Sequence, residues 1–484
     1  MSNFAEQLVN ETSFTHTANG AVCLSTSHDG LVDLFSTIGA LRNATDERKY
    51  DLFDRAASAD KELAAKILFY GRDIREGLGE RSTFRTLLKY AADRYPEIVK
   101  PNLNLIGFYG RFDDLYCLIG TKCEDDMWIA MAAQFTCDWI NMTANKPISL
   151  LAKWIKTPDA SSRNTRRLGI LTSQKLGFKN VRPFKKILKQ MRKYLDIVEI
   201  KVSANNFSTI AYNTVPAKAM MKYRNLFQTK DNDRFSQYLS DVKSGKTEIK
   251  AGTLYPYDIA YKMLYGNEDN DVLEAQWNAL PNYVEDGSNI LVMADVSGSM
   301  YGLPMASSVG LALYFAERAK GAFHNLFMTF SNRPEMVSIH GARLIDKIRN
   351  IKKANWNMNT NLDAAMQLIF DTAIKNNIPA EDLPKALAII SDMQIDGCVN
   401  HTLFYDKWSK KFSEAGYKIP NVIFWNVNSE SDTFHADAYR KGVQLLSGHS
   451  ASTFKTLISN LDKTPYETML SVLLSERYAP ITVE

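Results

Sequence analysis

The chain has 484 residues, 45% of them hydrophobic and 23% charged, with a formal net charge of +4. That length exceeds one ordinary core and suggests two domains, and the composition excludes a disordered chain. No apolar run approaches the roughly 20 residues needed to cross a bilayer, and the polar start MSNFAEQLVNETSFTHTANG lacks a signal peptide's apolar stretch, so a soluble, cytoplasmic protein is expected. Five cysteines without a CxxC pair and seven scattered histidines argue against a disulfide framework or a zinc site.

The first half reads as helix after helix. In KELAAKILFYGRDI (61–74), Leu63, Ile67, Tyr70 and Ile74 share one helical face. STFRTLLKYAADRYPEI (82–98) repeats the period, opens on Ser82 and meets Pro96 near its end. In FDDLYCLIG (112–120), Asp113 and Asp114 suit a positive helix start. This pattern predicts an all-α, helical-repeat module over residues 1–280, although no exact sequence repeat is present.

Within that module, residues 151–200 hold thirteen Lys or Arg against three acids, a local +10 that leaves −6 for the rest of the chain. In FKKILKQMRKYL (184–195), Phe184, Ile187, Leu188, Met191 and Leu195 fall on one helical face. Lys185, Lys186, Lys189, Arg192 and Lys193 fall on the other, with no acid among them. Upstream, SSRNTRRLG (161–169) places Arg163, Arg166 and Arg167 on an expected polar loop, where guanidinium forks suit phosphates. An anionic partner is expected here, and a merely solvated face is the alternative.

The turn-rich, acidic stretches YGNEDNDV (265–272) and PNYVEDGSN (281–289) read as a linker region. Beyond it, strand candidates alternate with amphipathic helices: the run NILVMA ahead of Asp295, then 323–330, 386–391, 421–427 and 443–446. The helices are expected near 304–319, 341–353, 361–375, 402–415 and 452–461. Such alternation predicts a doubly wound α/β domain over 285–484.

In an open α/β sheet, ligands gather beyond the carboxyl ends of the strands. Asp295, Ser297 and Ser299 follow the first strand, Asp392 follows the 386–391 strand, and Thr360 stands in a loop ahead of a helix. Hydroxyls and carboxylates from three loops suit a hard divalent cation such as Mg²⁺, with Mn²⁺ or Ca²⁺ as alternatives. The same residues could serve as helix caps.

The series Asp295-Val-Ser297-Gly-Ser299, Thr360, Asp392 resembles the metal-ion-dependent adhesion site of von Willebrand factor A domains. The resemblance implies Ser297, Ser299 and Thr360 as hydroxyl ligands and Asp295 and Asp392 as carboxylates that act directly or through water. It also implies capture of a partner's acidic side chain. The helical half joined to such a domain resembles the Ro autoantigen (TROVE) group, with HEAT-like repeats, and an uncharacterised Ro-like family. YGRDIREGLGER (70–81), YGRFDDL (109–115) and NVIFWNV (421–427) are similar to the latter. The resemblance implies binding of small structured or single-stranded RNA.

No catalytic motif assembles. SDVKSGKT (240–247) has Ser240 where a P-loop needs glycine, and no GxSxG surrounds the serines. A non-enzymatic RNA-binding protein is therefore expected. A protein-binding adaptor working through the metal site is the alternative, and a metal-dependent hydrolase, with Asp396 the one nearby base, is the remotest reading.

Overall fold

A computed structural model describes residues 13–266, 270–284, 289–329, 333–352, 360–397 and 403–484. Parts of both expected linker stretches (267–269 and 285–288), most of the loop leading to Thr360 (353–359) and Cys398 lie outside the described residues.

The helical half follows its sequence signals closely. Asp60 ends one helix, Asp46–Ala59, by donating its N–H to Ala56 O, and starts the next, Lys61–Arg72, by accepting from Leu63 N–H at 2.8 Å. One short polar residue thus makes a helix corner. The 82–98 run is broken where its proline stands: Ser82–Arg94 is one helix and Pro96–Val99 begins another. The 112–120 signal is a tighter 3-10 helix, Phe112–Leu118. Among the described residues, further helices include Glu124–Thr143, Arg163–Lys175, Val181–Tyr194, Ala217–Lys230 and Asn232–Lys243.

The C-terminal half is an α/β unit built on a mixed, mostly parallel six-stranded sheet. Its strands are β3 (Ile290–Ala294), β4 (Leu326–Thr329), β5 (Glu335–Ser338), β6 (Ala386–Ser391), β7 (Asn421–Asn426) and β8 (Val443–Ser447). Their spatial order is β5-β4-β3-β6-β7-β8, and only β4 and β5 pair antiparallel. All residues of β3 and β6 are buried, as expected of central parallel strands. The chain runs outward one way from β3 and the other way from β6, so the two carboxyl ends flank a topological switch point.

Sequence periodicity missed three of the described strands and the helix Pro465–Leu473. β5 is short, with Glu335 and Met336 exposed. A hairpin of β1 (Phe14–His16) and β2 (Val22–Leu24) forms near the start of the described chain, and its three-residue strands are too short for a readable alternation.

The two halves are packed on one continuous apolar core. Helix Pro256–Gly266 lies against helix Leu303–Arg318, with Gly310 so close that a Cβ there would stand 3.1 Å from the Pro256 backbone. Trp277 Nε1–H donates to Glu317 at 2.6 Å. Both chain ends also cross over. Leu24 and Phe434 exchange backbone hydrogen bonds at 2.8 and 2.9 Å, tying β2 to the α/β half. At the other end, Arg477 forks onto Asp73 with both bonds at 2.7 Å, Tyr478 stacks on Tyr109, and Asn102 holds the backbone of Thr482. A separate small apolar cluster forms around Phe207, Tyr212, Phe227 and Phe235.

Candidate functional site

The hydroxyl and carboxylate residues singled out in the sequence form two groups near the β3/β6 switch point: Asp295, Ser297 and Ser299 beyond β3, with Asp392 facing Asp295 from the end of β6, and Thr360 bonded to Gln394 and Asp396 further along the loop after β6. Asp295 leaves β3 while its N–H still donates to Ile390 O at 3.0 Å, extending the parallel ladder by one residue. Its carboxylate is 0% exposed. One oxygen accepts from Ser297 N–H at 2.9 Å and the other from Ser391 Oγ–H at 2.6 Å. This fixes the turn, and it brings the Ser297 and Ser299 hydroxyls to 3.1 Å from each other, Ser297 buried and Ser299 exposed.

Asp392, nearly buried, follows β6 and accepts from Gln394 N–H at 3.1 Å. Met393 between them takes φ +65, the left-handed region a side chain rarely occupies, so this corner is tightly turned. Thr360, also buried, does not cap its helix as a Thr-x-x-Asp box would; Asn361 caps it, accepting from Ala364 N–H at 2.9 Å. Thr360 instead joins the loop beyond Asp392. Its N–H donates to Asp396 at 3.0 Å, and its hydroxyl lies 2.8 Å from Asp396 Oδ1 and 2.9 Å from Gln394 O.

Burial, first, and then the negative charge of Asp392 push the Asp295 carboxyl up to about 6, against the opposing bonds from Ser391 and Ser297. A cation placed between the two carboxylates would relieve that conflict. Among the described residues no three His, Cys, Asp or Glu stand together as a ligand group. A cation here would therefore depend on neutral hydroxyls as well as carboxylates, an all-oxygen set that suits a hard ion and not a soft one. On this chemistry the residues fit.

Three residues of the cluster were not foreseen as site residues. Ser391 holds Asp295, and Asp396, weighed only as a base, holds Thr360 at two points. Both stand within four residues of Asp392, where a closer reading of the strand end could have found them. Asn19, whose amide N–H lies 3.1 Å from the Thr360 hydroxyl, carries no sequence signal across a separation of 341 residues.

The basic segment is a helix pair. Asn180 caps Val181–Tyr194 by accepting from Arg182 N–H at 3.2 Å, and Phe184, Leu188 and Met191 are buried beneath it. Phe178 and Phe135 pack on Phe184 with centroids 5.4 and 6.0 Å away, holding the pair to helix Glu124–Thr143. Arg163, Arg166 and Arg167 are not on a loop. They occupy the first turns of helix Arg163–Lys175, because Ser162 accepts from Thr165 N–H and begins the helix there. This helix comes so close to Thr157 and Pro158 that a Cβ on Gly169 would meet their backbone at 2.3 Å.

The cations divide into two kinds. Arg192 turns inward and spends its guanidinium on Ala152 O (2.8 Å) and Ile155 O (2.7 Å), and burial holds it below the usual arginine range. Lys185 pairs with Asp159 at 2.9 Å, and Lys175 with Asp125 at 3.4 Å. Arg163, Arg166, Arg167, Lys179, Arg182, Lys186, Lys189 and Lys193 are exposed, and none of them pairs with a carboxylate among the described residues. No described helix is long and apolar enough to cross a membrane.

Residues 17–119 and 172–290 match a family described as Domain of unknown function (DUF2828), and residues 289–472 match Domain of unknown function (DUF7788). An uncharacterised protein of Acanthamoeba polyphaga mimivirus is 28% identical over 504 residues, spanning 94% of this chain and 86% of its own length. Among solved structures, the Deinococcus radiodurans RO (RSR) protein is similar at 14% identity and a TM-score of 0.46, covering 86% of this chain and 93% of that one.

Proposed function

We propose that this protein binds RNA, without catalysis, through the exposed face of helices Arg163–Lys175 and Val181–Tyr194. One observation carries the reading: eight solvent-facing cations, seven on two adjacent helices and Lys179 in the loop between them, lack carboxylate partners among the described residues, while an ordinary solvated surface mixes both signs. A phosphate backbone supplies the missing counter-charge and releases its own counterions. The α/β half is read as a von Willebrand factor A-like domain in which Asp295, Ser297, Ser299, Thr360 and Asp392 would hold one divalent ion, Mg²⁺ foremost. The ion would offer a Lewis-acidic position to an oxygen ligand.

A second reading, an adaptor that captures a partner's carboxylate at that ion, is favoured by Tyr301. Its ring is 78% exposed immediately beyond Ser299, where a docking chain would cover it. Photo-crosslinking to a uridine-rich single strand, followed by peptide mapping, separates the two readings. Crosslinks concentrated in residues 160–195 support the RNA reading. Their absence at low salt, in a protein that still captures an aspartate-bearing peptide only with Mg²⁺, supports the adaptor.

A further inference from the structure

The turn between β1 and β2 lies on the loop that carries Asp392 and Asp396. Thr17 Oγ1–H donates to Ile395 O at 2.6 Å, Ala18 N–H to Gln394 Oε1 at 2.7 Å, and Gly397 N–H to Asn19 O at 2.8 Å. Gly20 and Asp396 form a β-bridge, and Gly397 is pressed so closely on Gly20 that a Cβ there would stand 2.6 Å from Gly20 O. A segment from the opposite end of the chain therefore supplies an extra edge to the site loop.

The side chain of Asn19 makes this contact specific. Its Nδ2 lies 2.6 Å from Gln394 O, an atom that can only accept, which identifies the nitrogen and fixes the amide orientation. The second N–H of the same group then points to the Thr360 hydroxyl at 3.1 Å. A hydroxyl has one proton and two lone pairs. The Thr360 proton goes to Asp396 or to Gln394 O, the Asn19 amide takes one lone pair, and a single lone pair remains.

We infer that the N-terminal arm completes the cation site: Asn19 is a positioning residue that orients the Thr360 hydroxyl, so arm docking and ion binding strengthen each other. The inference rests on the cation reading given above. Without the arm, Thr360 loses a donor that fixes its rotor, and the 394–397 edge loses its backbone partners. With an ion pulling on Thr360, undocking the arm costs more, because coupling between two binding events is reciprocal.

The test uses the full chain with Mn²⁺ alone, counted by electron paramagnetic resonance, and Mg²⁺ competing for the same site. Hydrogen exchange of residues 13–24 is read with Mg²⁺ and with chelator. Asn19→Ala removes the amide, and Gly397→Ala wedges the arm away while leaving Asn19 and Thr360 intact. The expected results are slower arm exchange with Mg²⁺ in the wild type, and ion affinity about fivefold weaker in either variant, the equivalent of one lost hydrogen bond. Wild-type affinity in Gly397→Ala, with its arm exchanging freely, would overturn the inference while leaving the cation reading intact. No Mn²⁺ bound by the wild type would overturn both.

Discussion

Replacing Arg477 with Ala removes the clasp that ties the C-terminal tail to the helical half. Asp73 is 0% exposed, and Arg477 covers both of its oxygens at 2.7 Å. After the change, the partners left to Asp73 among the described residues are the Arg75 N–H at 3.0 Å and the Tyr478 hydroxyl at 3.2 Å, neither of which carries charge to the carboxylate. Orphaning a buried charge costs about 3 to 5 kcal/mol. The two remaining donors place this case near the lower bound, about 3 kcal/mol. If the loss is local, amides in residues 477–484 should exchange about a hundredfold faster, since each ~1.4 kcal/mol is a factor of ten. Adding Asp73→Asn should restore part of the protection, because a neutral amide does not demand a cation. Unchanged tail exchange and an unchanged melting midpoint in Arg477→Ala would refute the claim that this pair holds the halves together.

Arg192 and Lys189 sit on one helix but should fail in opposite assays. Arg192→Met loses two carbonyl bonds worth about 1.5 to 3 kcal/mol each and should lower the melting midpoint, whereas Lys189→Met should leave the midpoint unchanged and weaken RNA binding. Gly169→Ala should cost about 1 to 3 kcal/mol in denaturant titration, because the colliding atoms are the Thr157 and Pro158 backbone, which cannot simply rotate away. His449, packed between Ser307 and Tyr257, is pushed by burial from its usual 6.5 down to about 4. The unfolded chain then binds the proton first, so the stability His449 lends is full above pH 6.5 and is lost as pH falls toward 4, by about 3 kcal/mol at most. Melting midpoints measured from pH 7 to pH 4 should fall less steeply in His449→Gln than in the wild type.

Much of the architecture was legible because it rests on local signals. The Leu63, Ile67 and Tyr70 stripe, Pro96, and the wholly apolar β3 and β6 each state their structure in a few residues. The places of Asp295 and Asp392 were legible for a related reason: each directly follows an apolar run that reads as a strand, and those two strands are neighbours in the sheet. Contacts that depend on the whole fold were not legible. Nothing near Arg192 distinguishes it from Lys189 until the carbonyls of Ala152 and Ile155 are placed beside it. Arg163 reads as loop from the sequence because a single serine cap with no acid three residues on is a weak helix start. Asn19 reaches Thr360 because the β1–β2 turn packs on the loop that follows β6, a contact between segments far apart in the chain. The stretches 70–81 and 109–115, similar to a family by sequence, hold Asp73 and Tyr109, which grip the C-terminal tail.

The salt dependence of RNA affinity tests the central proposal most directly. Fluorescence anisotropy of a labelled single-stranded RNA, titrated between 50 and 200 mM KCl, yields the slope of log affinity against log salt. Each phosphate contact contributes roughly −0.7 for single strands, so eight uncompensated cations allow a slope down to about −5.6. Substituting Arg182, Lys186, Lys189 and Lys193 together should flatten the slope by up to about 2.8. Substituting Lys185 alone, already paired with Asp159, should move it by less than one contact's worth. A wild-type slope near zero, or a quadruple variant with wild-type affinity and slope, would contradict RNA binding at this face.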